Sequence, residues 1–215
     1  MRDVHCHIVF GVDDGSRSLD ESLAMLHAAR EAGITQIVCT PHCRGRHFDR
    51  ERIIGNFQEL QRYAGQIDMM LGYEVYVEKL LDMGIEHARD YRLGESDEFL
   101  LELPTGLRPT NLDTVVYRLQ GQGLQIIIAH PERYSYVQSD LQYAYDLVDM
   151  GCRLQVSADF MGAGMFSKHG KCAKALLKEG LISYIASDAH AVDDYADFRA
   201  AVRKYGSLAE GMLAE

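Results

Sequence analysis

The sequence predicts an α/β protein of the barrel type, on three observations. Short β-branched runs alternate with amphipathic stretches of helical period along the whole chain. Four of those apolar runs end in, or lead directly to, histidine. The 215 residues, 47% hydrophobic, suffice for one core and include no linker, low-complexity tract or fixed-period repeat. The expectation is a single domain over residues 1–215, a closed or nearly closed α/β barrel with its site at the C-terminal ends of the strands. An open doubly wound sheet is the alternative.

The elements follow in order. Arg2 to His7 reads as the first strand. A helix begins near Ser18, where Ser18-Leu19-Asp20-Glu21 resembles a capping box, and Leu23, Leu26, Ala29 and Ala32 form its apolar stripe. Thr35 to Thr40 is a strand ended by Pro41, and Asp49 to Tyr63 a helix. Ile67 to Val77 carries a third strand with Gly72-Tyr73-Glu74, and Glu98 to Leu103 a fourth. Thr110 to Gly121 reads as a helix, Leu124 to Ala129 as a strand, and Asp140 to Met150 as a helix stopped by Gly151. Arg153 to Val156, Lys171 to Lys178, Leu181 to Ala186 and Tyr195 to Tyr205 complete the alternation.

The histidines and acids point to a metal site. Residues two apart on a strand project to the same face, so His5 and His7 can hold one ion, as can Asp188 and His190. His42 and His130 each end an apolar run. Glu74 follows Met69-Met70-Leu71-Gly72-Tyr73, and Glu102 sits within Phe99 to Leu103; a buried carboxylate must be paired or bound to metal. Asp14 is a loop acid just downstream of the first histidine pair. His5, His7, Asp14, His42, Glu74, Glu102, His130, Asp188 and His190 are too many ligands for one ion. Imidazole and carboxylate without thiolate suit Mn, Fe or Zn rather than Ca. Two or three such ions sharing carboxylates form a phosphoesterase device, which activates water and stabilises developing phosphoryl charge.

Charge and cysteine usage agree. A net charge of −10 argues against a nucleic-acid footprint, which would need a basic face to neutralise phosphates. Three dications would bring that to about −4, and against four ligand carboxylates they would leave about +2 at the site, enough to attract a phosphate dianion. The five cysteines are odd in number and form no CxxC pair, so a reducing, cytoplasmic setting is expected. No run of about 18 apolar residues is present, and no membrane insertion is expected.

His5-Cys6-His7, Asp13-Asp14-Gly15, Thr40-Pro41-His42, Gly72-Tyr73-Glu74, His130-Pro131-Glu132-Arg133-Tyr134 and Ser187-Asp188-Ala189-His190 together resemble the PHP (polymerase and histidinol phosphatase) superfamily. Within it, they most resemble the bacterial manganese-dependent protein-tyrosine phosphatases of capsule and exopolysaccharide biosynthesis. The resemblance runs from Met1 to about Gly206. It implies a distorted (β/α)7 TIM-like barrel and three divalent metal ions, with Mn first and Fe or Zn as alternatives. The substrate it implies is phosphotyrosine on a cognate bacterial tyrosine kinase. By motif, His5, His7, Glu74 and Asp188 would hold one ion, Glu74, Glu102 and His130 a second, and Asp14, His42 and His190 a third. His42 and Asp188 would then serve catalysis, and Arg133 would contact the phosphate, its planar fork matching two phosphoryl oxygens.

The reaction implied is attack of a metal-activated hydroxide on phosphorus, with departure of a phenolate whose pKa is about 10. One departure from the family pattern stands out. Members commonly carry an arginine shortly after Ser-Asp-x-His, whereas Ala191-Val192-Asp193-Asp194 follows here. Arg44, Arg46 and Arg199 are the candidates to replace it. The stretch after Gly206 is short against the family, and oligomerisation stays open.

Blander readings accompany each residue. His7 or His42 alone reads as a hydrogen-bonded imidazole; placement and motif order favour the shared site. Glu102 has the alternative of an edge-strand acid facing solvent, and Arg133 that of a salt bridge to Glu132 or another acid. Arg44-Gly45-Arg46-His47 reads equally as a mobile loop or an anion guide. His27, His47, His87 and His169 are expected to be solvated, and Cys6 and Cys43 are expected not to be ligands. No cysteine has an arginine at the spacing of a thiolate phosphatase, and the Asp-x-Asp-x-Thr of haloacid-dehalogenase phosphatases is absent. The remaining rivals are a phosphatase for a small molecule such as histidinol phosphate and, from another class, a metal-stabilised binding module.

Overall fold

The alternation of strand and helix produces a curled parallel sheet with helices on its outer face in a computed structural model that describes residues 1–209. The strands are β1 (Arg2–Cys6), β2 (Gln36–Cys39), β3 (His42–Cys43), β4 (Asp68–Leu71), β5 (Glu74–Tyr76), β6 (Glu98–Glu102), β7 (Gln125–Ala129), β8 (Arg153–Ser157) and β9 (Tyr184–Ala186). The helices are α1 (Leu19–Glu31), α2 (Arg50–Gln61), α3 (Val77–Met83), α4 (Leu112–Gln120), α5 (Ser135–Ser139), α6 (Gln142–Asp149), α7 (Lys168–Lys178) and α8 (Asp194–Tyr205).

All pairings are parallel, in the orders β1-β2-β4 and β3-β5-β6-β7-β8-β9. The two sheets meet where β2 runs into β3 and β4 into β5. Gly72 N–H donates to the Cys39 carbonyl at 2.8 Å and Glu74 N–H to that of Pro41 at 3.3 Å. On the far side β9 approaches β1: Asp188 N–H donates to the His5 carbonyl at 2.8 Å and His7 N–H to that of Ala189 at 2.9 Å.

The sequence expectation of one strand over Ile67 to Val77 is corrected to two, with a break at Gly72-Tyr73 and a helix, α3, starting at Val77. Glycine is needed at the break because the chain passes close to Leu93: a Cβ on Gly72 would lie 3.0 Å from the Leu93 Cα and 2.7 Å from its Cδ2. Pro41 interrupts β2 as expected, because it has no N–H for the ladder, but pairing resumes at once with His42 opposite Glu74. Ser18 and Asp49 cap α1 and α2, accepting from the Glu21 and Arg52 amides at 3.2 and 3.1 Å. The expected helix from Lys171 begins at Lys168, where Ser167 caps it.

Two apolar clusters follow from the curling. Val4, Val38, Leu93, Leu100, Ile127, Ala129, Tyr184 and Ala186 fill the inside of the sheet. A larger cluster lies between the strands and the helices, which contribute faces such as Leu112, Val115, Val116 and Leu119 of α4. Below the inner cluster, at the starts of the strands, Glu98 accepts from Arg2 at 2.7 Å and from Arg153 at 3.0 Å, and the Tyr184 hydroxyl donates to it. No helix among the described residues is long and apolar enough to cross a membrane.

Candidate metal centre

Above the inner cluster, at the C-terminal ends of the strands, all nine residues singled out in the sequence come together. His5 and His7 come from the end of β1, His42 from β3, Glu74 from β5 and Glu102 from β6. His130 follows β7, and Asp188 and His190 follow β9; Asp14 enters from the loop after β1. Gly15 shapes that loop, because a Cβ there would fall 2.1 Å from the His7 carbonyl oxygen, and the Ser16 amide donates to that oxygen at 3.1 Å. The two non-glycine residues with positive φ among the described residues are His130 (30°) and Asp188 (49°). Such strain costs on the order of 1 kcal/mol each and collects at functional sites.

The ring nitrogens of β1 reveal what the cluster can hold. The Asp13 carboxylate, which can only accept, lies 2.8 Å from His7 Nδ1, and Gln155 Oε1 lies 2.9 Å from His5 Nδ1. Both protons of the neutral rings are thereby placed on Nδ1. The two Nε2 atoms then face each other at 3.1 Å with lone pairs only. Glu74 Oε2 and Asp188 Oδ1 surround them at 3.3 to 3.6 Å. A divalent cation held by His5 and His7 would turn that repulsion into ligation, and a proton shared there would relieve it as well. This explains the direction of the charges: burial lowers the pKa of His7, but the Asp13 and Asp188 carboxylates outweigh it and raise the value well above normal. His5 is raised likewise, against its burial, by Asp188 and Glu74.

Other ligand atoms also point at common space rather than at each other. Glu74 Oε2 is 2.6 Å from His42 Nδ1, yet neither atom has a hydrogen-bond partner. Glu102 Oε2 and His130 Nδ1 are buried and unpartnered as well; His130 Nε2 is 2.7 Å from Glu74 Oε1. Buried polar atoms without partners are rare in folded proteins, and a divalent ion held among them would satisfy them. Burial and the Glu74 charge push Glu102 up to about 8, which a bound cation would reverse.

Three geometric groups of ligand atoms emerge: His5, His7 and Glu74; His42, Glu74 and Glu102; and His7, Asp14, His42 and His190. These groups take in seven of the nine expected residues; His130 Nε2 stands beside them at 2.7 Å from Glu74 Oε1, and Asp188 Oδ1 at 3.3 Å from the Nε2 atoms of both His5 and His7. Glu102 groups with His42 and Glu74, and His7 lies with Asp14, His42 and His190. Glu102 is buried on an interior strand, paired to both β5 and β7, which removes its solvent-facing alternative. Asp14 and His190 keep the cluster open, lining a cavity of about 420 Å³ with Arg17, Glu21, Met25 and Val192.

The arginines separate. Arg133 bonds Asp188 Oδ2 at 2.6 Å and Asp159 at 3.1 Å, so the acid partners expected as its blander reading exist, one of them inside the cluster. Arg44 reaches Asp14 at 3.0 Å on the opposite side, and Arg46 is exposed in the same loop. Arg199 turns away to the Glu31 carbonyl at 3.5 Å. His27, His47 and His87 are exposed, whereas His169 is half-buried and paired with Ser167. Cys6 and Cys43 are buried and lie outside the ligand groups.

Sequence reasoning missed the residues that hold the ligands in place. Asp13 orients His7 and also accepts from the His42 amide at 3.1 Å; burial raises it, but the His7 contact and two amides hold it at about 2. Gln155 orients His5, Ser157 donates to Asp188 at 2.9 Å, and Asp3 accepts from the Ser187 amide and hydroxyl at 2.9 and 2.6 Å. The signal was available in Leu154-Gln155-Val156-Ser157, where polar residues alternate with apolar ones, and in Asp3, two before His5.

A family model described as capsular polysaccharide synthesis, CpsB/CapC, matches residues 1–203. Tyrosine-protein phosphatase CpsB of Streptococcus pneumoniae is 30% identical over 204 residues, 90% of this chain and 84% of that protein. Tyrosine-protein phosphatase YwqE of Bacillus subtilis is 30% identical over 199 residues, 89% and 78% of the two chains. A crystal structure from work on YwqE and CpsB as metal-dependent tyrosine phosphatases superposes with a TM-score of 0.79 at 27% identity, over 91% of this chain and 81% of that one.

Proposed function

The chain belongs to the CpsB/CapC family of capsular polysaccharide synthesis, and from that premise we propose that it is a metal-dependent tyrosine-protein phosphatase. The observation that carries the reading is the pair of opposed Nε2 lone pairs on His5 and His7, surrounded by Glu74 and Asp188 carboxylates. The nine residues fit divalent ions of the Mn, Fe or Zn kind, three in number, with Mn first. Three geometric groups of ligand atoms that share His7, His42 and Glu74 support that count. Bound there, such ions would supply an activated water and positive charge facing the phosphoryl group.

The remaining work falls to the chain. Asp13 and Gln155 keep the β1 imidazoles in the tautomer that presents Nε2 inward. His42 and Asp188 complete the reactive centre. Arg133, released in part from Asp188, offers two N–H donors to the phosphoryl oxygens, and Arg44 with Arg46 attracts the anion from the other side. The same reading treats residues 1–215 as one PHP-type domain and the sheet as a distorted (β/α)7 barrel. It counts β2 with β3 and β4 with β5 as single kinked strands, with the β1–β9 contact as closure. It takes the substrate to be a phosphorylated tyrosine kinase of the cytoplasm, a setting in keeping with five free cysteines.

The test compares p-nitrophenyl phosphate, phosphotyrosyl peptides, phosphoseryl peptides and histidinol phosphate, with and without Mn. Metal-dependent turnover favouring phosphotyrosine is expected. Preference for histidinol phosphate would move the substrate to a small molecule, and inactivity with every divalent ion would leave a binding module.

A further inference from the structure

Helix α7 carries Lys168, Lys171, Lys174 and Lys178, whose spacings of three, three and four gather them within about 120° of the helix circumference. All four are exposed, the helix contains no acid, and the buried side is Cys172, Ala173, Leu176 and Leu177. No ion pair among the described residues involves any of them. In a chain of net charge −10 this strip reverses the average sign. At its start Met165 and Phe166 are 82% and 84% exposed, and Lys171 Nζ lies 5.6 Å from the Phe166 ring centroid.

The strip is continuous with the mouth of the centre. Arg133 touches Asp159 Oδ2 at 3.1 Å, His169 Nε2 is 3.9 Å from the same oxygen, and His169 Nδ1 pairs with Ser167 at 2.9 Å. The apolar tip is thus about two side chains from the guanidinium. Cations beside an exposed aromatic also suit a lipid surface. A bilayer laid on a rim loop, however, would cover the adjacent mouth, and the rest of the molecule would be repelled by anionic headgroups. An extended polypeptide covers only a narrow strip and leaves the mouth accessible.

Resting on the phosphatase reading, we propose that Met165, Phe166 and the α7 lysines dock an acidic segment flanking the phosphotyrosine, with an apolar side chain of that segment against Phe166. Specificity for the polypeptide then resides in charge complementarity outside the centre.

The test uses the full chain loaded with Mn, and K168E/K171E/K174E beside it. Substrates are phosphotyrosyl peptides with Asp and Glu on either flank, the same peptides with Asn and Gln, and p-nitrophenyl phosphate. For the acidic peptide, KM is expected to rise roughly tenfold in the variant with kcat within about twofold, while the other two substrates are unchanged. Wild-type KM for the acidic peptide should rise with salt and that of the variant should not. F166A should raise KM for both peptides roughly threefold and leave p-nitrophenyl phosphate alone.

Equal KM for acidic and neutral peptides in the wild type overturns the docking proposal alone, provided p-nitrophenyl phosphate is hydrolysed. So does loss of binding to phosphatidylglycerol vesicles in the variant with peptide KM unchanged, which would assign the strip to a membrane. Without any turnover, the phosphatase reading itself fails; peptide binding by fluorescence anisotropy then still decides whether the strip prefers acidic sequences.

Discussion

The two ends of the curled sheet both bury polar groups, and they solve that problem in opposite ways. At the strand starts, Glu98 is matched by two guanidiniums and a phenol, so both of its carboxylate oxygens are satisfied within the protein. At the strand ends, five imidazoles and four carboxylates converge, acceptors outnumber protons, and Glu74 Oε2, Glu102 Oε2, His42 Nδ1 and His130 Nδ1 are left without partners. Balanced polar burial serves stability, whereas unbalanced burial persists only where something from outside completes it. The inner apolar cluster between them keeps the two ends independent.

That contrast breaks most sharply under substitution of a ligand. Asp188→Ala or His42→Ala should lower kcat by roughly a thousandfold or more with the far-UV circular dichroism preserved; wild-type turnover in a metal-replete preparation of either variant would remove these residues from the centre. Chelation comes next. A stabilisation of about 3 kcal/mol at a hundredfold excess over Kd corresponds to roughly 5–10 °C in Tm for a chain of this size, lost on metal removal. Calorimetry showing no change would leave the strand-end cluster as self-sufficient as the strand-start one.

Arg133→Ala should cut kcat/KM for phosphotyrosyl peptides roughly ten- to a hundredfold, and Arg44→Ala less than tenfold, read in steady-state kinetics. At the other end, Glu98→Ala should cost about 1–3 kcal/mol in urea titration, since Arg2 and Arg153 keep 31% and 44% of their side-chain surface in water. Turnover per folded molecule should be untouched, and its loss should add to that of chelation.

A pH-dependent contrast concerns Glu132, whose carboxyl is raised by burial to about 8 and accepts the Ser157 amide at 2.8 Å. The folded state holds this proton longer than the unfolded one. Its contribution to stability is therefore complete below a pH of about 4.5 and is lost as pH rises to about 8, with a slope of up to about 1.4 kcal/mol per pH unit. Glu132→Gln should flatten that dependence in metal-loaded protein, where Glu102 no longer titrates. An unchanged profile would show that Glu132 is ionised throughout.

Much of the site was legible because it depends on local rules. Period two places His5 with His7, and the lengths of the apolar runs put His42, His130 and Asp188 at strand ends. The supporting groups were less legible: Asp13 reads as a loop acid until it is seen 2.8 Å from His7, and Arg133 gives no sign of its contact with Asp188 across two strands. The close approach of Leu93 to Gly72, from 21 positions away, gives no sign in the local sequence either.

By itself, then, the sequence determined which residue types sit at which strand ends, since alternation and run length are properties of neighbouring residues. Only the tertiary structure decided which ligand atoms share a point in space, which groups orient them and that His42 gathers with Glu74 and Glu102. Those relations depend on how far the sheet curls, and that curvature arises from packing between residues distant along the chain.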